Sequence, residues 1–515
     1  MIPVLSPSQS SAWDQKAVAA GIELATLMDA AGRAVAVVVA ERYSQRLRDG
    51  VLVAAGPGHN GGDGWVLARA FHRLGVPVWV TSPAGGGAPL RERMAGLARA
   101  EGVREVAPDG PWPTLGLVVD ALLGTGASGA PRPAIASLLE RLLDLELPVV
   151  AIDGPTGVDL LSGNVHGAPG ADLTITFGGL RRGHLLARDE VGVVVVVDIG
   201  HPAPDPGWPA LVTDRRAAGW LRRLRARDHK GDRGRVVVVG GDVGMTGAVR
   251  MAARAAFAAG AGLVHAVAPT DTVAALVQAE PDLQTLAHEF DREPSPALLE
   301  LVGRADAVVI GPGLGRANGR RALVSSLVRA ARTVVLDADA LVAFQNAADE
   351  LHALAADRRL VLTPHPGEFR VLFPALVSVR ELDPWAAAES AAQVSGATIL
   401  LKGVPTVVAR DGIAPLTVAA GNPGLATGGS GDLLSGVVAS FLAHGVAPET
   451  AAALGAQVLG RAADLAARRA SARTLRPTDV VAALPDLWRQ WELLRGAPPA
   501  PRPPVLFELS PPQTT

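Results

Sequence analysis

The sequence predicts an α/β protein of two domains, each built on a mainly parallel sheet with helices on both faces. Three observations carry this. At 515 residues the chain exceeds what one ordinary hydrophobic core organises, so two domains of roughly 200–280 residues are expected. Short β-branched runs closed by glycine turns alternate with Ala/Leu/Arg helical stretches, which is the grammar of βαβ units. A Pro-rich passage, GHPAPDPGWP over Gly200–Pro209, cannot sustain a regular element, and the alternation restarts beyond it. The division is expected between about 205 and 225, giving domains over 1–212 and 213–495 and a tail over 496–515.

Between about Trp13 and Tyr43, Ile22, Leu24, Leu27, Met28, Val35, Val38 and Val39 recur with helical spacing, predicting one or two opening helices. The strand and helix runs VLVAAGPG, GWVLARAFHRLG and VPVWVTSP follow, then LGLVVDALLGTG, PVVAIDGPTG, ADLTITFGG and VGVVVVVDIG. The second half opens with RVVVVGGD and an Ala-rich helix from about Ala248 to Ala259. Its further strand ends are AVVIGPGLG, TVVLDADAL, LVLTPHPGE and TILLKGVPT. In sheets of this kind, functional loops lie at the strands' C-terminal ends. The proline density of APPAPRPPVLFELSPPQTT predicts an extended or disordered tail with no catalytic role.

Composition narrows the function. Hydrophobic residues make up 49% of the chain, yet no uncharged apolar run reaches the roughly 18–20 residues of a membrane helix, and Val193–Val197 is the longest strand-like run. The opening MIPVLSPSQS has neither a basic start nor an apolar stretch, so a cytoplasmic protein is expected. With no cysteine, catalysis falls to Asp, His, Lys or backbone groups. A formal net charge of −2 supplies no field for nucleic acid. Small-molecule substrates and a homo-oligomer are the expected partners. Lysine is scarce, with only Lys16, Lys230 and Lys402, and the last two each open a glycine turn.

The turn GPGHNGGDG at Gly56–Gly64 joins a strand to a helix, so backbone N–H groups and a helix N-terminus can face phosphate oxygens. A structural turn explains the glycines but requires neither Asn60 nor Asp63. Three more strand ends carry comparable loops: DALLGTGASG with Asp120, IDGPTG with Asp153 and Thr156, and TFGGLRRG with Arg181. Singly, each is equally well a cap or turn residue. Jointly they point to one crevice, whose oxygens suit a hard monovalent cation.

In this order, GPGHNGGDGWVLAR, DALLGTG, IDGPTGVD and TFGGLRRGHL resemble the NAD(P)H-hydrate epimerase domain over residues 1 to about 210. The resemblance implies a Rossmann-like doubly wound sheet and a potassium ion held by Asn60, Asp120 and Thr156. It places substrate along His59, Asn60, Gly61, Gly62 and Asp63, along Gly124, Thr125, Gly126, Ala127, Ser128, Gly129 and Ala130, and at Asp153. Asp153 is the implied catalytic residue, handling protons at the hydrated ring carbon. Three positions depart from the family's usual residues: His59 for Asn, Thr156 for Ser and Arg181 for Lys. Thr keeps the hydroxyl, and Arg keeps the charge but not its point-like geometry.

In the second half, GNPGLATGGSGDLLSG at Gly421–Gly436 packs glycines before an apolar helical run and carries Asp432. This is an anion hole beside a carboxylate. A phosphate at the helix start gains as negative charge accumulates, and Asp432 can take a proton from an attacking hydroxyl. KGVPT at Lys402–Thr406 suits nucleotide phosphates, a solvated turn being the plain alternative. His365, between two prolines, is a rigid substrate contact or an exposed turn residue. GPGLG at Gly311–Gly315 lets a ligand approach the backbone or is only a turn. Asp337 and Asp339 in LDADAL join the site or cap a strand end.

The collinear segments KGDRGRVVVVGG, TGAVRMAARAAFAAGAG, GPGLG, LDADAL, TPHPGE, LKG and NPGLATGGSGDLLSG look like the ADP-dependent NAD(P)H-hydrate dehydratase domain, a relative of ribokinase-like kinases. This implies a ribokinase-like α/β sandwich, with hydrated NADH or NADPH contacted by Ala248, Gly313, His365 and Asp432. Nucleotide contacts are implied at Lys402, Gly403, Val404, Pro405, Thr406 and Gly431, with ADP as phosphoryl donor. Asp432 is the implied base for transfer to the ring hydroxyl, after which loss of phosphate restores the dihydropyridine and AMP remains. Mg2+ is expected because neighbouring phosphates need neutralisation. Two rivals stay open: a ribokinase-like small-molecule kinase, and a first domain that is a non-catalytic nucleotide-binding module.

Overall fold

The computed structural model describes residues 1–167, 170–496 and 503–513. Its strands, in chain order, are β1 Val4–Leu5, β2 Val51–Ala55, β3 Val78–Thr81, β4 Arg104–Glu105, β5 Leu117–Ala121, β6 Val149–Ile152, β7 Leu173–Phe177, β8 Leu180–Arg181 and β9 Val193–Val197. There follow β10 Ala210–Leu211, β11 Arg235–Val239, β12 Leu263–Ala268, β13 Gln284–Ala287, β14 Ala307–Ile310, β15 Thr333–Leu336, β16 Arg359–Leu362, β17 Thr398–Leu401, β18 Thr406–Arg410, β19 Ile413–Val418 and β20 Val505–Leu509. The chain divides into two units between Trp208 and Pro209. That is a few residues before the 212/213 boundary expected from sequence, because Ala210–Leu211 pairs in parallel with β19 of the second sheet.

The first unit's sheet has the order β20-β9-β7-β6-β5-β2-β3-β4. Its central strands β2, β5 and β6 are buried along their whole length, as expected of continuous apolar runs covered on both faces. From β2 the chain steps outward to β3 and β4, then returns to β5 on the other side of β2. The reversal opens a crevice beyond the C-terminal ends of β2 and β5. Two opening helices, Pro7–Ala19 and Leu24–Tyr43, precede the sheet; the second buries Leu27, Met28, Val35, Val38 and Val39.

The second sheet has the order β10-β19-β18-β17-β16-β15-β14-β11-β12-β13, parallel except where β18 meets β17 and β19. Its reversal lies between β11 and β14. The helices Thr246–Ala258 and Ser430–Ala443 pack together so closely that a Cβ on Gly436 would fall 2.0 Å from the Ala252 carbonyl oxygen. No helix among the described residues is long and apolar enough to cross a membrane.

Of the two alternatives expected for the tail over 496–515, extended or disordered, its described part takes the extended one. Helix Pro477–Gly496 reaches Gly496, and Val505–Leu509 adds an antiparallel strand to β9, with Leu509 buried. The prolines break the chain on either side, but VLFEL contains none and can pair. The rest of that expectation, 497–502 and 514–515, lies outside the described residues.

Candidate functional sites

In the first unit, β2 ends in a loop that only glycine permits. A Cβ at Gly56 would lie 1.8 Å from the Leu122 carbonyl oxygen, and one at Gly61 would lie 2.0 Å from that of Gly56. The loop opens helix His59–Arg73, and beside it lies a cavity of about 720 Å³. His59, Asn60, Asp63, Gly124 through Ala130, Asp153 and Arg181 line it. His59 is exposed at the first helical position, whereas Gly61 and Gly62 sit behind the wall, Gly62 against Met28.

Of the three expected cation ligands, Asn60 and Thr156 both bond the Leu123 backbone, and Asp120 joins them through Thr156. Thr156 donates its hydroxyl to Asp120 Oδ1 at 2.7 Å and its N–H to Oδ2 at 2.7 Å, and its Oγ1 accepts from the Leu123 N–H at 3.0 Å. Asn60 Nδ2 donates to the carbonyls of Leu123 at 2.8 Å and Ile152 at 3.1 Å. Its Oδ1 is buried without a partner. Burial raises the Asp120 carboxyl, partly offset by the bonds from Thr156. An orphaned acceptor, a carboxylate and a hydroxyl linked through the Leu123 backbone are of the chemistry that fits potassium.

Asp153 occupies the left-handed region at φ 65°, a strained choice for a non-glycine residue. Three neighbours hold it there. Its Oδ2 accepts from the Thr125 N–H at 2.8 Å and from the Thr125 hydroxyl, its Oδ1 accepts from Thr176 Oγ1 at 3.2 Å, and Arg181 Nη2 lies 3.3 Å from Oδ1. Burial pushes this carboxyl up, but the Arg181 charge and the Thr125 bonds win, leaving it below the usual range. His184 Nδ1 accepts from the Arg181 N–H at 3.0 Å, so Nε2 is left to donate to the Asp153 carbonyl oxygen at 2.6 Å. Burial lowers the His184 pKa to about 4, keeping the ring neutral. Asp63 shows the reverse balance: burial, then the charges of Asp153 and Asp14, drive its carboxyl well up. One cavity thus holds two carboxyls pushed in opposite directions, Asp153 down and Asp63 up.

In the second unit a chain of contacts joins the predicted residues. A Cβ on Gly313 would meet that of Ala248 at 3.1 Å, and one on Gly311 would meet the Asp337 carbonyl oxygen at 1.8 Å. Asp337 Oδ1 accepts from Lys402 Nζ at 3.0 Å and from Thr363 Oγ1 at 2.8 Å. Lys402 Nζ also lies 3.5 Å from Glu368 Oε2. His365 caps helix Pro366–Leu372: its Nδ1 accepts from the N–H of Gly367 at 2.9 Å and of Glu368 at 3.3 Å, while its N–H donates to Glu368 Oε2 at 2.8 Å. Lys402 Nζ is 3.4 Å from where a Gly431 Cβ would stand, at the start of helix Ser430–Ala443. Gly403 and Val404 are exposed, Thr406 Oγ1 donates to the Gly403 carbonyl at 3.3 Å, and Pro405 is buried.

The electrostatics follow from that crowding. Burial lowers the Lys402 pKa, but Asp337 and Glu368 outweigh it and hold the ammonium above its ordinary value. For Asp432, burial and then the Asp337 charge raise the carboxyl to about 7, although Lys402 pulls the other way. Asp432 therefore stands near neutrality in the first turn of a helix whose N–H groups, with Lys402, favour an anion. No cluster of three His, Asp or Glu side chains among the described residues forms a ready metal cage. Sequence reading passed over Glu368 and His184, although both lie inside the motifs TPHPGE and TFGGLRRGHL; it also passed over Asp464, which accepts from Asn422 Nδ2 at 3.1 Å and steadies the start of the glycine loop.

Comparison with known proteins gives two matching family models: the YjeF-related protein N-terminus over residues 24–183 and NAD(P)H-hydrate dehydratase over residues 236–486. The bifunctional NAD(P)H-hydrate repair enzyme Nnr of Escherichia coli K12 is 37% identical over 477 residues, covering 90% of this chain and 89% of its own. That of Coxiella burnetii is 35% identical, covering 91% and 95%. Among solved structures, an ADP/ATP-dependent NAD(P)H-hydrate dehydratase from Bacillus subtilis, co-crystallised with ATP and Mg2+, matches 54% of this chain and 97% of its own at 26% identity and a TM-score of 0.47.

Proposed function

The chain belongs to the bifunctional NAD(P)H-hydrate repair enzymes, and from that membership we propose that its first unit interconverts the two epimers of hydrated NADH and NADPH while its second dehydrates one of them, the S epimer, with ADP. The observation that carries the second assignment is Asp432, raised to about 7 in the first turn of a glycine-rich helix start, with the Lys402 ammonium beside Gly431. A carboxylate poised at the working pH suits a base that must both take and release a proton.

In the dehydratase step Asp432 takes the proton of the ring hydroxyl as that oxygen attacks the terminal phosphorus of ADP. The bond to the bridging oxygen breaks and AMP leaves. The hydroxyl, now a phosphate ester, departs as phosphate, and the ring regains its double bond by losing a neighbouring proton. Lys402 and the backbone of Gly403, Val404, Pro405, Thr406 and Gly431 hold the nucleotide phosphates. Ala248, Gly313 and His365 hold the hydrate. Mg2+ arriving with the nucleotide supplies charge neutralisation for its phosphates.

In the epimerase unit, Asp153 is the proton-handling residue, kept ionised by Arg181 and Thr125 and aimed by the neutral ring of His184. Asn60, Asp120 and Thr156 would hold potassium, which when bound supplies a fixed positive charge for substrate phosphate or hydroxyl oxygens. His59, Asn60, Asp63 and Gly124 through Ala130 form the substrate walls, with Gly61 and Gly62 backing them from behind. We place this chemistry in the cytoplasm, where reduced nicotinamides are consumed, and expect a homo-oligomer.

Separating adenine nucleotides after turnover tests the donor. AMP and free phosphate formed together with reduced nicotinamide support the reading. A stable phosphorylated product, or turnover with ATP and none with ADP, contradicts it.

A further inference from the structure

We propose that the outer edge of the first unit's sheet, strand β9, is a strand-acceptor site whose occupant is the chain's own C-terminal segment Pro503–Pro511, making that segment a working part of the N-terminal domain. β9 is five consecutive valines, and without a neighbour its outer edge would present a row of unpaired N–H and C=O groups, the arrangement that recruits foreign strands. β20 closes it, with Val505 opposite Val197, Phe507 opposite Val196, Glu508 opposite Val195 and Leu509 opposite Val194. The Asp198 N–H extends the pairing by donating to the Pro504 carbonyl at 2.8 Å.

Three side-chain anchors fix the segment. Leu509 is 5% exposed. Glu508 pairs with Arg42 of helix Leu24–Tyr43 at 2.6 Å. Arg188, a buried cation whose Nη1 has no partner, donates through Nη2 to the Ser510 carbonyl. Burial already depresses the Arg188 pKa to about 10, and loss of Ser510 would leave that group further uncompensated. The recognition is strand addition: backbone pairing supplies affinity, and alternate side chains supply register. Leu506 shows the limit of the fit, standing 49% exposed where the register shifts between Val505 and Phe507. Prolines at 503, 504, 511 and 512 stop the ladder from growing.

The test uses a chain ending at Gly496 and a fluorescent peptide of the sequence Pro503–Gln513. The truncated chain is expected to bind the peptide saturably, and the full chain at least tenfold more weakly because its site is filled. Truncation is expected to lower the first unit's unfolding midpoint by about 4 °C or more, and the peptide to restore it. A peptide carrying Leu509→Asp is expected to do neither. Association of truncated copies that the peptide reverses is further support. An unchanged midpoint with no peptide binding overturns the proposal. If the truncated chain does not fold, a protease site inserted between Gly496 and Pro503 of the full chain replaces it: after cleavage the released segment should co-elute with the protein, and its separation as free peptide overturns the proposal.

Discussion

Asp432 carries two opposed demands, one chemical and one structural. In its proposed role as base it must reach its ionised form, yet burial and Asp337 favour the protonated one. Asp432→Asn should therefore cut dehydration by at least about a hundredfold while leaving epimerisation intact, read as separate rates on the same preparation. The sign of its stability effect follows from linkage. The folded carboxyl titrates at about 7 against a usual 3.8, so the fold binds a proton that the unfolded chain has released between those values. Its contribution is favourable at low pH and is lost as pH rises toward 7. The Asn variant should consequently melt higher than the parent at pH 8 and not at pH 4; equal midpoints at both would refute this. His184 behaves oppositely. Depressed from 6.5 to about 4, it leaves the first unit stable above 6.5 and progressively less so as pH falls through 4, and His184→Gln should flatten that slope in acid melts. At this scale the sequence displayed residue types but not partnerships. Asp337 and Asp339 look alike in LDADAL, and only the fold sends Asp337 to Lys402 while Asp339 accepts from the Gly315 N–H and pairs with Arg316.

Glycines that read identically in sequence separate by what surrounds them in the elements. Within Gly421–Gly436, Gly436 lies where helix Ser430–Ala443 crosses helix Thr246–Ala258, with backbone 2.0 Å from any added Cβ. Gly436→Ala should destabilise the second unit by about 1–3 kcal/mol or more, visible in denaturant unfolding. Gly431 has only the Lys402 ammonium and an Asp337 oxygen beyond 3.3 Å, so Gly431→Ala should fold normally yet raise the nucleotide KM by roughly tenfold, about 1.4 kcal/mol. A stability loss without a KM change would reverse these roles. Element by element, the βα alternation was legible because parallel strands buried on both faces must be continuously apolar. The exception is β20, hidden because proline density around VLFEL masks a run that pairs only when a distant valine strand is there to receive it.

At the scale of the molecule, each unit reverses strand order once beside its glycine loops, with perturbed carboxyls near each reversal: three in the first unit, Asp63, Asp120 and Asp153, and one in the second, Asp432. Two such sites on one chain suit two linked reactions on one metabolite, one supplying the epimer the other consumes. Length and motif order exposed this division. The boundary itself shifted because two residues, Ala210 and Leu211, pair with a strand that follows some two hundred positions later. The measurement that tests the whole account is recovery of reduced-nicotinamide absorbance from a mixture of both NADH hydrate epimers given ADP, Mg2+ and K+. The parent chain should recover both epimers quickly; Asp153→Asn should recover one share at the parent rate and the remainder only at the spontaneous epimerisation rate. Full rapid recovery by Asp153→Asn, or none by the parent, would contradict it.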